Sequence, residues 1–552
     1  MKQHLALFAV ALACMAWSAC QNAEADQVLR NAHIVCLDGA GTEAQAMAVH
    51  NGRIVALGKE HEILNAYRGA KVMDMAGATI YPGLIDAHSH LLGYALTLDR
   101  LNLVGTASWE EVIERLVQWK APGEGWVRGR GWDQNDWAIS EFPTRRDLDA
   151  LFPSRPAVLQ RIDGHAVLAN ERALRETGMW EVEQVPGGEV LRFPDGSPSG
   201  VLVDGAADSL LSRIPEPSIQ EKVSALKLAE QKILKAGLTT VTDAGLEWGD
   251  ILLMDSLHRS GDLHVRVMAM ANPTPDNFDA MVARGGMRTD RLVAESFKFY
   301  MDGSLGSRGA ALLAPYDDRP GHRGLLLQNV EAYKAQLRVV HENGFQAATH
   351  AIGDSAARLV LGAYAEILQG PNDFRWRVEH SQVLHPTDRP LFGQNSVIPS
   401  VQPTHATSDM YWAGERLGRG RIRRAYAYVD LMAELGMLPL GTDFPVEDID
   451  PRKTFLAAVA RQDASRYPPE GFHMDQALTP RQAMLGMTLW AALASRMDEE
   501  VGSLEVGKQA DFVVMDRDWL KLENPHEVLE AEVLQTFVAG EVLHSTKTPI
   551  LP

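Results

Sequence analysis

The sequence predicts an α/β protein: a TIM-type (β/α)8 barrel with an inserted subdomain and a small β-sandwich domain built from both termini. Three observations carry this expectation. Short apolar runs alternate with amphipathic stretches through the middle of the chain, the pattern of strands and helices wound around a parallel sheet. Both ends of the chain are rich in strand-like runs bounded by turn residues. One interval between candidate strands, residues 88–237, is far too long for an ordinary connection.

Each element has its own signal. Strand candidates lie near 80–87, 238–243, 264–271, 295–301, 345–349, 375–379, 397–401 and 438–442, and eight such units are the count that closes a barrel. Helical periodicity marks 218–236 and 328–343. The N-terminal runs "QVLRNAHIVCLDG" and "AMAVHNGRIVALG" and the C-terminal runs "GSLEVGKQADFVVMD" and "VLQTFVAGEVLH" read as one composite β-domain over 27–80 and 500–552. The alternative is a separate sheet at each end. The barrel then occupies 81–499, with the insertion at about 105–220. That insertion carries Trp109, Trp119, Trp126, Trp132, Trp137 and Trp180, which either fill its core or roof the barrel mouth.

Composition bounds the function. At 552 residues and 46% hydrophobic, the chain can bury a large core and is not globally disordered. A net charge of −19 disfavours nucleic acid and anionic membranes as partners of the protein body; it says little about substrate, since a local site can differ in sign, and the small-molecule substrate is an expectation from the motifs. Oligomeric state is left open.

The first 26 residues read as an export signal. Lys2 precedes a short apolar run from Leu5 to Trp17, too short to span a bilayer comfortably. "WSAC" ending at Cys20 resembles a bacterial lipobox, with Trp17 where leucine is usual. A lipidated Cys20 would anchor the chain by acyl chains alone. Gln21 after it suggests the outer membrane, facing the periplasm. The alternative is a plain cleavable signal cut near Ala23 or Ala25. Of three cysteines, Cys14 and Cys20 lie in this segment, so Cys36 stands alone and neither an internal disulfide nor a cysteine zinc site is expected in the mature chain.

The residues that carry chemistry stand at the ends of the candidate strands. "TIYPGLIDAHSH" places His88 and His90 two apart, so both imidazoles point the same way on an extended strand and can share a metal. "GFQAATHAIGD" ends a strand at His350, "RWRVEHSQ" at His380 and "LPLGTDFPVED" at Asp443. "ESFKFYMDGSLGSRG" puts Lys298 in an apolar strand with Asp302 just beyond. Singly, each reads as well as a structural histidine, a paired lysine or a turn residue. Together they collect where TIM-barrel chemistry collects.

These motifs, with "RGRGWDQNDW", "RIDGHAVLAN", "GLTTVTDAG", "SVQPTH" and the closing "GSLEVGKQADFVVMD", resemble the amidohydrolase superfamily, in the branch related to N-substituted formamide deformylase. The resemblance runs from about residue 27 to 545. It implies one or two divalent metal ions, usually zinc. His88, His90 and Asp443 would hold the first. His350 and His380 would hold the second, bridged by Lys298 if its amine is carboxylated. Asp443 would act as general base and then acid. His165, His405 and Arg424 match polar positions of the family and would contact substrate. The implied reaction is hydrolysis of a non-peptide C–N bond in an amide, formamide or N-acyl amine. An ester or cyclic-amide hydrolase is the near alternative, and a binding lipoprotein that kept the fold without the chemistry is the distant one.

Overall fold

The structure, a computed structural model, describes residues 24–546 except 99, 120–124, 135–136, 140, 162–165, 186–187 and 307. Cys20 and the segment ahead of it, expected from the sequence to direct export, lie outside the described residues. The chain forms two compact units, residues 1–91 with 230–552, and residues 92–229.

The first unit holds the barrel. Its strands are β1 (Leu84–Ser89), β2 (Leu238–Leu246), β3 (Arg266–Ala271), β4 (Leu292–Tyr300), β5 (Gln346–Ala351), β6 (Arg377–His380) and β7 (Ile398–Ser400). They pair in parallel in chain order. β1, β3, β6 and β7 are buried at every residue, as parallel strands covered on both faces must be. The expected helices form as Ile219–Lys235 and Val330–Glu342, the latter capped by the Asn329 side chain on the backbone N–H of Glu331 and Ala332.

The eighth position is filled by residues 438–443, which make bridges rather than a regular ladder. Leu440 pairs in parallel with Val401, and Gly441 N donates to Val401 O at 3.0 Å. On the other side Ala87 N donates to Leu440 O at 3.1 Å and Asp443 N to His88 O at 2.7 Å, closing the ring onto β1. The approach is so close that a Cβ at Gly441 would stand 2.5 Å from His88 N, so only glycine fits there. Pro439 and the left-handed backbone of Asp443 (φ 65°) account for the missing ladder.

Both termini share one sandwich. A sheet of Arg53–Gly58, Ala46–His50, Gln27–Arg30 and Lys71–Asp74 faces a second of Glu541–Ser545, Val533–Val538, Phe512–Met515, Thr79–Pro82, His33–Val35 and Glu43–Ala44. Thr79–Pro82 pairs antiparallel with Phe512–Met515, so the two ends of the chain lie in one sheet and the separate-sheet alternative is excluded. Leu29, Ile34, Met47, Phe512 and Phe537 fill the space between. Arg266, at the start of β3, is bound bidentately by Asp511 (2.6 and 3.0 Å), both fully buried, which bolts the sandwich to the barrel floor.

In the second unit a six-stranded sheet runs Gly188–Arg192, Pro198–Asp204, Ala166–Ala169, Ala157–Arg161, Val127–Trp132 and Leu101–Asn102. Trp132 and Trp137 are buried in its core with Leu103, Val112 and Leu116, and Trp109 and Trp119 pack on the same cluster. Among the described residues, no helix of the chain is long and apolar enough to cross a membrane.

Candidate metal centre

Barrel geometry brings six of the expected residues together. His88 ends β1 and His90 follows it, tied to the eighth segment by His90 N donating to Phe444 O at 2.8 Å. Lys298 comes from β4, His350 from β5, His380 from β6 and Asp443 from the eighth segment. Asp443 is the hub. Its Oδ1 lies 3.1 Å from His90 Nε2 and 3.5 Å from His88 Nε2, and its Oδ2 lies 3.6 Å from His405 Nε2. Lys298 Nζ stands 3.3 Å from His88 Nε2. The His380 ring centre is 4.9 Å from that of His88 and 4.5 Å from that of His350. His380 and Asp443 both have positive φ, 69° and 65°, strain of the kind that persists where surrounding structure enforces it.

Two sets of donors converge within 4.8 Å: His88, His90 and Asp443, and His380, His405 and Asp443. The first is the trio expected from the sequence. The second differs, because His405 joins it. His405 lies in the first turn of the helix Pro403–Asp409, directly after β7, and that turn swings its imidazole to Asp443. It therefore stands among the donors and also lines the cavity in front of them. His350 lies beside His380, its Nε2 3.5 Å from Asp302 Oδ1. Arg424 does not join the site: it is exposed on the short turn Ile422–Arg424 and is not part of the cavity wall. His165 lies outside the described residues.

Electrostatics prepares these groups for a cation. Burial, then the nearby Lys298 ammonium, lowers His88 to about 4 and His350 to about 3, and burial with His350 holds His380 well below its usual value. All three are thus neutral imidazoles, the form that ligates metal. Burial lowers Lys298 to about 8, against the pull of Glu379 and Asp443. Burial would raise Asp443, but His90 and His88 outweigh it and keep the carboxylate well below its ordinary range. His350 Nε2 and His405 Nε2 are buried without a hydrogen-bond partner among the described residues. Orphaned buried acceptors of this kind call for a ligand. A set of imidazole nitrogens and carboxylate oxygen with no thiolate fits zinc or a similar divalent ion.

Three supporting groups were not singled out from the sequence. Glu379, wholly buried, accepts from His88 Nδ1 at 2.5 Å and is forked by Arg377 at 2.7 and 2.9 Å. Burial would raise its pKa, but Arg377 and His88 hold it well below the usual carboxylate range. Asp86, which burial raises to about 7, accepts from Thr442 Oγ1 (2.6 Å) and His88 N (3.1 Å), pinning β1 to the eighth segment. Gln402 Oε1 accepts from His380 Nδ1 at 2.8 Å. The available signal was Arg-x-Glu inside a strand that is otherwise apolar, since charges buried there must be paired. Asp302, noted just past Lys298, accepts backbone N–H from Ala311, Ile352 and Gly353 and so orders the loops after β4 and β5.

The model of the amidohydrolase family matches residues 71–544. This chain belongs to the amidohydrolase family. This amidohydrolase is 32% identical to the protein LONG AFTER FAR-RED 3 of Arabidopsis thaliana, over 94% of this chain and 92% of that one. It is 29% identical to the N-substituted formamide deformylase of Arthrobacter pascens, over 93% and 97% of the two chains. Among solved structures, an uncharacterized metal-dependent hydrolase from Pyrococcus horikoshii superposes with a TM-score of 0.77 at 27% identity, covering 90% of this chain and 98% of that one. The amidohydrolase fold and a metal-dependent hydrolase of this superfamily are thus the shared identity.

Proposed function

We propose that this amidohydrolase cleaves a non-peptide C–N bond, in an amide, formamide or N-acyl amine. One observation carries the reading: the ionised Asp443 carboxylate lies between two donor sets, with Oδ1 3.1 Å from His90 Nε2 and Oδ2 near His405. Similarity to the deformylase supports the choice of bond. One or two divalent ions, zinc by the chemistry of the donors, would be held by His88, His90 and Asp443 and by His380 and His405 with His350 alongside. Such an ion supplies Lewis acidity, polarising a carbonyl and making water a better nucleophile. Burial lowers Lys298 to about 8, which raises the share of neutral amine near neutral pH, and that form can add CO2 with release of a proton to give an anionic carbamate ligand.

The chain's own residues then move the proton. Asp443 takes it from water as the oxygen adds to the carbonyl carbon. It returns it to the leaving nitrogen as the C–N bond breaks, giving a carboxylic acid and a free amine. Protonation is required because an amide anion is a poor leaving group. Glu379 fixes the His88 ring so that Nε2 faces the site. Export with lipidation at Cys20 is part of the same proposal and places the substrate in the periplasm.

The test is a panel of N-formyl and N-acyl amines against matched esters, with metal-loaded protein. Release of amine supports the reading. Turnover of esters alone would replace it.

A further inference from the structure

The cavity in front of the donor set has a volume of about 420 Å³, and Leu305, Ile352, Trp412 and Val446 give it an apolar wall beyond the donors. Leu305 and Ile352 are buried, at 1% and 5% exposure. They stand in the loops that follow β4 and β5, and Asp302 ties both loops down. Its Oδ2 accepts from Ala311 N and Gly353 N, each at 2.8 Å, and its Oδ1 accepts from Ile352 N at 3.0 Å. Trp412 is packed as well. Gly306 lies so near that a Cβ there would stand 3.2 Å from the ring, and the Arg416 guanidinium is 5.7 Å from the ring centre. The apolar wall is thus held in place by the fold.

The same cavity offers no spare cation. Among its described lining residues the one Lys or Arg is Lys298, whose Nζ lies 3.3 Å from His88 Nε2, inside the donor set. Gln382, Asp409 and Glu447, also in the wall, are engaged with neighbours. Asp409 Oδ2 accepts from Gln382 Nε2 at 2.8 Å and from Tyr426 Oη at 2.7 Å, and Glu447 Oε1 accepts from Ser408 Oγ at 2.6 Å. A carboxylate brought in by a substrate would find these acids and no side-chain cation to pair it, and burying an unpaired charge is costly. An alkyl or aryl group would meet Leu305, Ile352 and Trp412 and leave water behind.

We propose that this cavity takes an uncharged alkyl or aryl group carried on one side of the scissile C–N bond, and that it discriminates against a carboxylate at the same place. The proposal rests on the C–N hydrolase reading for the scissile bond, whereas the preference for an apolar group belongs to the wall and is tested by binding. Each buried methylene is worth a factor of about four in affinity. A tail longer by five methylenes, with roughly half of that length buried, should therefore gain about thirtyfold.

The experiment is calorimetry on the metal-loaded protein with hydroxamates, which share one metal-binding head and differ in the tail. One series carries the tail on carbon, acetohydroxamic acid against heptanohydroxamic acid. The other carries it on nitrogen, N-hydroxy-N-methylformamide against N-hexyl-N-hydroxyformamide. In one series or both the longer tail should bind at least about thirtyfold more tightly. A tail of the same length that ends in a carboxylate, in pimelic acid monohydroxamate or N-(5-carboxypentyl)-N-hydroxyformamide, should lose most of that gain. Leu305→Asn sets an amide into the wall and should cut the gain at least about fivefold, with metal content unchanged. Should that variant fail to fold or lose metal, Val446→Asp, at an exposed position, makes the same test. No gain in either series, an equal gain for the carboxylate tail, or a gain that the wall variant leaves intact would overturn the apolar pocket and leave C–N hydrolysis standing. A gain from the tail with no hydrolysis of N-pentylacetamide or N-hexylformamide would count against the C–N reading and leave the pocket standing.

Discussion

His88 Nδ1 donates to Glu379 Oε2 at 2.5 Å, and neither side chain has any exposed surface. Because Arg377 keeps Glu379 ionised, the carboxylate can only accept, so the His88 proton sits on Nδ1 and the Nε2 lone pair faces Asp443. One buried hydrogen bond thus selects the tautomer that a metal requires.

Replacing Glu379 with Gln keeps the shape and an acceptor but removes the charge. Metal affinity should fall by about 10–100-fold, the usual cost of losing such a partner. Competition with a chromophoric chelator measures it, with circular dichroism to confirm folding. Unchanged affinity would show that Glu379 merely fills space.

Asp443→Asn removes the basic oxygen and leaves a carbonyl. The kcat on a C–N substrate should drop by at least about 10²–10⁴-fold. Metal content should fall less than in His90→Ala. Near-normal turnover would exclude Asp443 as the base and turn attention to His405, 3.6 Å away.

Asp511→Ala tests the joint between sandwich and barrel. It strands the buried Arg266 guanidinium, and breaking a buried pair costs about 3–5 kcal/mol. Urea denaturation should show that loss. A change within 0.5 kcal/mol, the ordinary surface range of about ±0.5, would mean that the pair contributes nothing net.

Cys20→Ser tests the export proposal. The variant should leave the membrane fraction and become soluble in the periplasm. Unchanged fractionation would favour ordinary signal cleavage.

His88, His90, His350, His380, Lys298 and Asp443 were legible because each ends or occupies an apolar run, and a barrel gathers strand ends at one face. Glu379 was not, because its partner His88 is 291 residues away and no local pattern links them. The approach of His405 to Asp443 was not legible either, because its helix begins with a turn whose direction no periodicity reveals. The eighth strand was placed in the right position, but Pro439 and the left-handed backbone of Asp443 reduce it to bridges. In the insertion, short strands such as Leu101–Asn102 and Gly188–Arg192 carry too little apolar alternation to announce a sheet. The tryptophans signalled only that a core was there.

The most direct test of the account is metal analysis of the purified protein alongside hydrolysis of an N-acyl or N-formyl amine. The account predicts one or two tightly held divalent ions per chain, loss of activity when a chelator strips them, and its return when zinc is restored. It further predicts that His88→Ala and His90→Ala purify with less metal. A folded protein that holds no stoichiometric divalent ion, or one that hydrolyses the amine derivative equally well after stripping, would contradict it.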